Sequence, residues 1–572
     1  LMSVNNEYRF GIVPQVTTPR SKFLMHQNIR TTFNTGKLIP FFVDTDIMPG
    51  DTFKLSGTMV VRMSTPIYPT MDNMFADVRW FFVPHRLVWD HWKAFMGENE
   101  TGAWYNQTSY TVPQIVIGKS GTNANLRIAK GDNLQYMGIP IGYPSSFSSS
   151  GTTDGAKFSA LPYRALCQTW NDWYRDENFC PPIYYNHGDA DANAERNNTW
   201  GTYSTSTGAE LSCPPVFKFK DMFNSCLPEP QAGPAVTLPI GASAPVIQGQ
   251  KHDIPQQSMT WSYVDNNQPI NTSNQSQAIA TFGDGTNNGF TGYAASVVSL
   301  DGTSNMAPNN LIADLSNAVA ATINAQRMAF ATQRILEQSA RSGRRYVEII
   351  KGFWGVTSPS ATQQRSQYLF GKRLPVNMAQ VTQTSSTDST SPQGNTAAYS
   401  LTVDSEYYGT FSATEHGTLL GVLCVRPEHS YDTGIAKMWQ RKNKLDFYWP
   451  QLAFLGEEPI TNKTIYADGS AADEQVFGYN ERWVEYRTKV NINTGAFSTK
   501  YAQTLAAWHY GDAYNSLPVL SDTWRRETTA NVDRTLAVTS AVEDNFLMDS
   551  RWEFEATRCC PLYSVPGLLD HF

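Results

Sequence analysis

Apolar and polar side chains alternate most clearly in three stretches. Over 52–65, Phe53, Leu55, Met59, Val61 and Met63 fall on one side, with Lys54, Ser56, Thr58 and Arg62 on the other. Successive side chains of an extended chain point to opposite faces, so period two predicts a strand with one buried face. The pattern recurs over 74–83 through Met74, Ala76, Val78, Trp80 and Phe82. It recurs again over 545–558, where Phe546, Met548, Trp552, Phe554 and Ala556 alternate with Asp549, Arg551, Glu553 and Glu555. Further strands are predicted over 374–382, 418–426 and 482–490. Good sheet material therefore stands near both ends of the chain, and its partners are expected hundreds of residues apart.

Helical spacing lies between these strands. Val88, Trp92 and Phe95 meet at i, i+4 and i+7 and predict a helix over 88–96. A second helix is predicted over 160–177, capped by Ser159 and aligning Tyr163, Leu166, Trp170 and Trp173. The longest spans 311–341, with Ile312, Leu315, Val319, Ile323 and Phe330 in one stripe, Asn310 as cap and Gly343 as stop. The segment 186–310 has little pattern and is rich in Asn, Ser, Thr, Gly and Pro. A structureless loop of that length is improbable inside a compact domain, so a surface subdomain or functional insertion is expected. The stretch TSSTDSTSPQGNT at 384–396 is expected to be an exposed loop.

Composition narrows the class. The chain has 572 residues, with 12% aromatic, 17% charged and a net charge of −7, which excludes a disordered chain or a strongly basic one. The densest apolar patch, Trp80-Phe81-Phe82-Val83, stops at Pro84, far short of the ~18 residues of a membrane helix. The opening LMSVNNEYRF has no basic stretch before an apolar one, so no secretory leader is expected. Seven scattered cysteines without a C-x-x-C pair point to reduced structural thiols rather than zinc.

Charge is unevenly distributed. Residues 1–37 hold five bases against one acid and lack regular patterning, which predicts an arm across a neighbouring surface or facing a polyanion. The segment 341–373 holds seven bases against one acid, beside Tyr346, Phe353 and Trp354. Such cations complement the C-terminus of the preceding helix, or they contact phosphates with the aromatics stacking on bases. The segment 186–310 has four bases and ten acids. Motifs for hydrolases, zinc proteases and phosphate loops are missing. The cluster Gly283-Asp-Gly285-Thr-Asn-Asn-Gly289 has the wrong spacing for a phosphate cradle and is expected to be a turn. Asp44–Asp51 departs from a calcium loop at Met48. His85 and His91 lack a third ligand nearby, and Glu457/Glu458 is expected to be solvated rather than a glycosidase pair.

Longer stretches carry a family resemblance: LIPFFVDTDIMPGDTF (38–53), PTMDNMFADVRWFFVPHRLVWDHWKAFMGE (69–98), ALCQTWNDWYRDEN (165–178), RRYVEIIKGFWGVTSP (344–359), FGYNERWVEYR (477–487) and CPLYSVPGLLDHF (560–572). In these the chain resembles the major capsid proteins of the microvirus family, small tailless single-stranded-DNA bacteriophages, and most closely the gokushovirus branch. The resemblance implies a mainly β fold, an eight-stranded antiparallel viral jelly roll with long helical and loop insertions. It implies five parts: an arm and lead-in (1–50), the first part of the roll with inserted helices (51–185), a surface insertion at the threefold axes (186–310), a helix with the remainder of the roll (311–562), and a tail (563–572).

A structural role without catalysis or cofactor follows from the same resemblance. Many copies would close a T=1 icosahedral shell around circular single-stranded DNA, in a virion assembled in the bacterial cytoplasm without membrane insertion. Partners would be a small basic DNA-packaging protein, other minor virion proteins and a host receptor at 186–310. Arg9, Arg20, Lys22, Arg341, Arg344 and Arg345 are the candidates for DNA contact. Trp89, Trp92, Trp170, Trp173, Tyr563, Pro566 and Phe572 are the candidates for assembly, with the tryptophans equally able to pack on their own chain. A carbohydrate-binding or glycan-cleaving jelly-roll protein is the competing class. Deleting 563–572 is expected to prevent particle formation, seen by electron microscopy, while circular dichroism shows a folded subunit; normal shells from the deletion would refute the tail's role.

Overall fold

The computed structural model describes residues 20–99, 109–118, 126–144, 156–196, 200, 208–236, 323–343, 345–385, 387 and 392–563, with the backbone of six short strands between 246 and 313. Eight strands make its two main sheets: β1 (Ser21–Phe33), β2 (Ile39–Ile47), β3 (Thr52–Met63), β4 (Met74–Pro84), β5 (Gln367–Pro375), β6 (Thr402–Ser412), β7 (Gly417–Pro427) and β8 (Phe546–Arg558). The first sheet has the order β1-β8-β3-β6 and the second β5-β4-β7-β2, four strands each and antiparallel throughout. The final strand of the chain lies between two of the first three.

The core forms where the apolar faces of the two sheets meet. Phe53, Leu55, Met59 and Val61 of β3 and Met548, Trp552 and Phe554 of β8 pack with Phe41 and Phe42 of β2, Trp80 and Phe82 of β4, and Leu419 and Leu423 of β7. Trp80 and Trp552 meet edge to face at 4.9 Å, and Phe42 stacks on Phe554 at 4.9 Å. Such pairs add about 0.5–1.5 kcal/mol beyond the area they bury. The Trp552 ring has room because residue 57 opposite it is glycine: a β-carbon there would stand 2.3 Å from the ring.

The second sheet is covered on its other face too. Phe81 and Val83 of β4 and Leu420, Val422 and Cys424 of β7 point away from the first sheet into a second cluster. This explains the unbroken run Trp80-Phe81-Phe82-Val83: alternate members of a strand buried on both sides must all be apolar. The covering layer comes from 85–217. It includes α1 (Leu161–Thr169), which continues into a π-helical turn at Trp170–Tyr174, and a small mixed sheet of Gln114–Ile117, Ala156–Ser159, Ala192–Glu195 and Ala209–Glu210. A third cluster joins Phe223 and Cys226 to Tyr431, Ile460 and Phe477.

The chain divides into two units, one of Leu1–Ala232 with Glu337–Phe572, the other Gly233–Leu336. In the second, Val246–Gln248 pairs with Leu311–Ala313, Trp261–Tyr263 with Met306–Pro308, and Ile279–Gly283 with Asn288–Gly292. The segment expected as one insertion from 186 is thus apportioned: Trp200, Leu211 and Val216 are core residues of the first unit.

Several local expectations are corrected. Residues 21–33, expected in an arm, form β1, because Phe33 stacks on Phe546 at 5.5 Å while Met25 and Ile29 pack against the core. The helix expected from 311 begins at Ile323, since Leu311–Ala313 finds an antiparallel partner that overrides its helical spacing. The helix expected over 88–96 is two four-residue helices, His85–Val88 and Trp92–Phe95, separated by the extended backbone of Trp89. The strand expected at 482–490 is the short helix Val484–Arg487, because Trp483 at φ 65° ends the extended chain. The stretch 374–382 holds the end of β5 and a separate strand, Met378–Thr382, paired with Thr396–Ser400.

Gly57→Ala is expected to destabilise the subunit by about 1–3 kcal/mol, the cost of forcing a methyl group into a filled core. Chemical denaturation checks this, and an unchanged midpoint would show that Trp552 yields freely.

Candidate assembly and nucleic-acid surfaces

The tryptophans foreseen as assembly contacts anchor the covering layer to its own chain. Trp89 is fully buried and donates from Nε1 to Asp189 Oδ1 at 2.7 Å. Trp170, also fully buried, donates to the Pro215 carbonyl at 2.9 Å. Trp173 donates to the Ser366 carbonyl at 3.1 Å and carries the Arg365 guanidinium 4.2 Å above its ring. Trp92 is half-buried, 4.5 Å from His85 and 5.6 Å from His416. Trp89 and Trp170 are corrected as candidates, since neither presents a surface to a neighbour. Tyr563 is exposed, whereas Pro566 and Phe572 lie outside the described residues.

The basic candidates separate in the same way. Arg9 and Arg344 lie outside the described residues. Arg341 bonds Glu457, and Arg345 is held by Glu177 at 2.9 Å and Glu348 at 3.2 Å. Lys372 bonds Asp404 at 2.5 Å, and Arg373 bonds Asp77 at 2.7 Å. Burial pushes the Asp77 carboxyl up, but the Arg373 and Arg426 guanidiniums outweigh it and hold the group below the usual carboxylate range. Much of the positive segment 341–373 is therefore neutralised within the chain, by acids distant in sequence. Arg341 and Arg345, candidates for DNA contact, are thus each paired with acids of their own chain.

Another surface gathers cations that sequence spacing could not bring together. The register places Lys22 and Arg30 of β1, Lys54 and Arg62 of β3, and Arg551 of β8 on the outward side of the first sheet, with acids Asp549, Glu553 and Glu555. Lys22 and Lys54 share Glu555 at 2.7 and 3.1 Å, and Arg20 is exposed just before β1. A concavity of about 670 Å³ on this side is lined by Arg30, Arg62 and Lys130 with Val60, Ile141 and Leu547. Arg30 lies 3.5 Å from Asp549 and Lys130 2.9 Å from Asp544, while Arg62 has no acid partner among the described residues. Cations beside exposed apolar side chains can hold a phosphate and shelter a base.

Other candidate chemistry resolves into structure. His85 sits 3.2 Å from Thr418, and burial, helped by His416, lowers it to about 4. His91 bonds Asp189 at 3.0 Å. Asp51 holds Arg558 at 2.9 Å and caps the Met48 amide. Among the described residues no group of three or more His, Cys, Asp or Glu could hold a metal ion. Glu458, expected in solvent, is buried and bonded by Lys437. The seven cysteines are free thiols, five of them buried.

A buried charge cluster surrounds His429, which no motif flagged. Its Nδ1 meets Asp512 at 2.9 Å and its Nε2 meets Glu527 at 2.8 Å. Asp512 also accepts from Lys218 at 2.9 Å, Asn531 at 2.6 Å and Tyr514 at 2.7 Å. Burial disfavours the imidazolium, but Glu527 and Asp512 outweigh it and push His429 up to about 10. With both ring nitrogens committed to carboxylates, His429 serves as a cationic rivet and has no lone pair for general-base work.

The model of the phage capsid protein family described as "Capsid protein (F protein)" matches residues 11–568. The chain belongs to that capsid family. Its relatives include capsid protein VP1 of Bdellovibrio phage phiMH2K, 35% identical over 100% of both chains. Capsid protein VP1 of Chlamydia phage 1 is 34% identical over 98% of this chain and 97% of its own, and that of Spiroplasma virus 4 is 34% identical over 96% and 95%. This capsid chain is accordingly a structural major capsid protein of the microvirus kind.

For such a subunit the His429 rivet sets an alkaline limit. Its folded value near 10 lies above the ordinary 6.5, so its stabilisation is complete below about pH 6.5 and is lost as pH rises through about 10. His429→Gln is expected to flatten that decline and to cost about 3–5 kcal/mol at neutral pH, because two buried carboxylates lose their cation. Thermal unfolding of unassembled subunits from pH 6 to above 10 measures both.

Proposed function

We propose that the chain is the repeating unit of a T=1 icosahedral shell that encloses circular single-stranded DNA, built on an eight-stranded jelly roll. The strand orders β1-β8-β3-β6 and β5-β4-β7-β2 support the roll, since each sheet joins strands from before residue 85 to strands from after residue 366. Membership of the capsid family over nearly the full length is the observation that carries the shell. Identical subunits under closed symmetry bury matching surfaces at two-, three- and fivefold contacts, and individually modest contacts add up. The role is structural rather than enzymatic, and its place is the virion, assembled in the bacterial cytoplasm.

In this reading the outward side of the first sheet turns to the DNA. Five cations against three acids on β1, β3 and β8, with Arg62 free of an acid partner among the described residues, support that orientation, and the net charge of −7 makes such contact local. A small basic packaging protein and other minor virion proteins would complete the interior. The segment 186–310 would be the candidate for host attachment through its part in the second unit, 233–310, where one base stands against four acids.

The experiment reverses Arg30 and Arg62 together. R30E/R62E shells are expected to form in normal number but to retain less DNA, read as a lower ratio of absorbance at 260 to 280 nm. The salt dependence of DNA release should weaken by about one in log–log slope per lost phosphate contact. Unchanged DNA content overturns the inner-face assignment, and a chain that stays monomeric in every condition overturns the shell itself.

A further inference from the structure

We infer that residues 435–455 form a seam of the shell, docking against a second copy of this chain. The inference rests on the assembly reading above and names the surface that performs it. The segment, IAKMWQRKNKLDFYWPQLAFL, exposes Met438, Trp439, Phe447, Trp449, Phe454 and Leu455. Trp439 is 76% exposed and Phe454 93%, values at which a large apolar side chain gains nothing from its own fold. Summed over the six, the exposed surface is on the order of 900 Å², comparable with the roughly 800 Å² that one partner gives to a stable interface.

The segment is held in place to display these rings. Three short 3₁₀ turns, Lys437–Trp439, Lys444–Asp446 and Pro450–Leu452, shape it. Its charged residues fasten it from beneath. Lys437 bonds the buried Glu458, and Arg441 bonds Glu485 at 2.9 Å while lying 4.6 Å from the Tyr486 ring. Asp446 accepts the Lys442 and Asn443 amides, both at 2.7 Å, and Trp449 Nε1 donates to the Lys444 carbonyl at 2.8 Å. A loop with these ties has lost much of its conformational freedom before it meets a partner, so little ordering entropy opposes docking. Tryptophan and phenylalanine on a fixed support are the side chains that dominate protein–protein contacts.

The occupant follows from charge as well as from area. Lys444 forms no ion pair among the described residues, and the Lys442 ammonium feels Asp446 and Glu474 without bonding either, so the apolar surface carries a cationic rim. A second copy of a chain with 51 acids and 44 bases offers such a rim more carboxylates than cations, and closed symmetry repeats the contact at every subunit.

The test expresses the wild-type chain beside the W439S/F454S variant. Both substituted side chains are exposed, so the variant is expected to match the wild type in circular dichroism and thermal midpoint while its particle yield falls about tenfold or more. Hydroxyl-radical footprinting of wild-type particles supplies a readout independent of the variant's folding. Oxidation of Trp439 and Phe454 should drop about tenfold in intact shells relative to the same shells mildly dissociated. Equal particle yield, or equal oxidation in both states, overturns the seam while leaving the shell intact. A wild-type chain that forms no particles overturns the assembly reading instead, and the seam with it.

Discussion

The two sheets are held face to face by a knot of rings around Trp80 and Trp552, which lie 4.9 Å apart. Phe41 stacks on Trp552 at 5.4 Å and meets Trp80 edge-on at 5.5 Å, and Phe42 bridges to Phe554. These residues come from the second, fourth and last of the main strands, so the knot closes only when the chain's ends have met. The contacts that define the core are non-local, which makes such a topology intrinsically slow to form and exposed to misassociation on the way. Everything inserted between β4 and β8 is tethered to a frame whose closure precedes it in importance.

That frame explains the division of labour between its two sheets. The second sheet is buried on both sides and serves as the wall on which the insertions are mounted, with Phe81, Val83 and Leu420 meeting α1 and Trp89. The first sheet keeps one side in water and lines it with alternating charges. One sheet therefore keeps a charged side in water while the other supports the inserted layers.

Charge inside the subunit is used to fasten distant segments. Asp77 on β4 gathers Arg373 from β5 and Arg426 from β7, while His429 binds Asp512 and Glu527. Removing one partner of a buried set like these strands the others, so they enforce one arrangement of the inserted segments even where their net contribution to stability is small. The basic run at 341–373 looks like a binding site in the linear chain because its neutralising acids, Glu177, Glu457 and Asp77, are hundreds of residues away or in another strand.

The strands with one wet face, β3 and β8, were legible in the sequence because period two records burial on a single side, while β4 and β7, buried on both sides, lie where alternation or apolar density predicts them. β1 was missed because its mixed, half-exposed pattern makes sense only beside β8. The helix expected from 311 starts only at Ile323, because a strand partner overrode the spacing of its first residues. The surfaces were hardly legible at all. Whether Trp170 or Trp439 faces water depends on what covers it, and covering is a property of folded layers. The amino-acid order determined which side chains alternate, the family to which the chain belongs and the class of its role. Tertiary structure alone decided which cations kept their charge free and which rings were left without a partner, since both depend on distances between residues far apart along the chain.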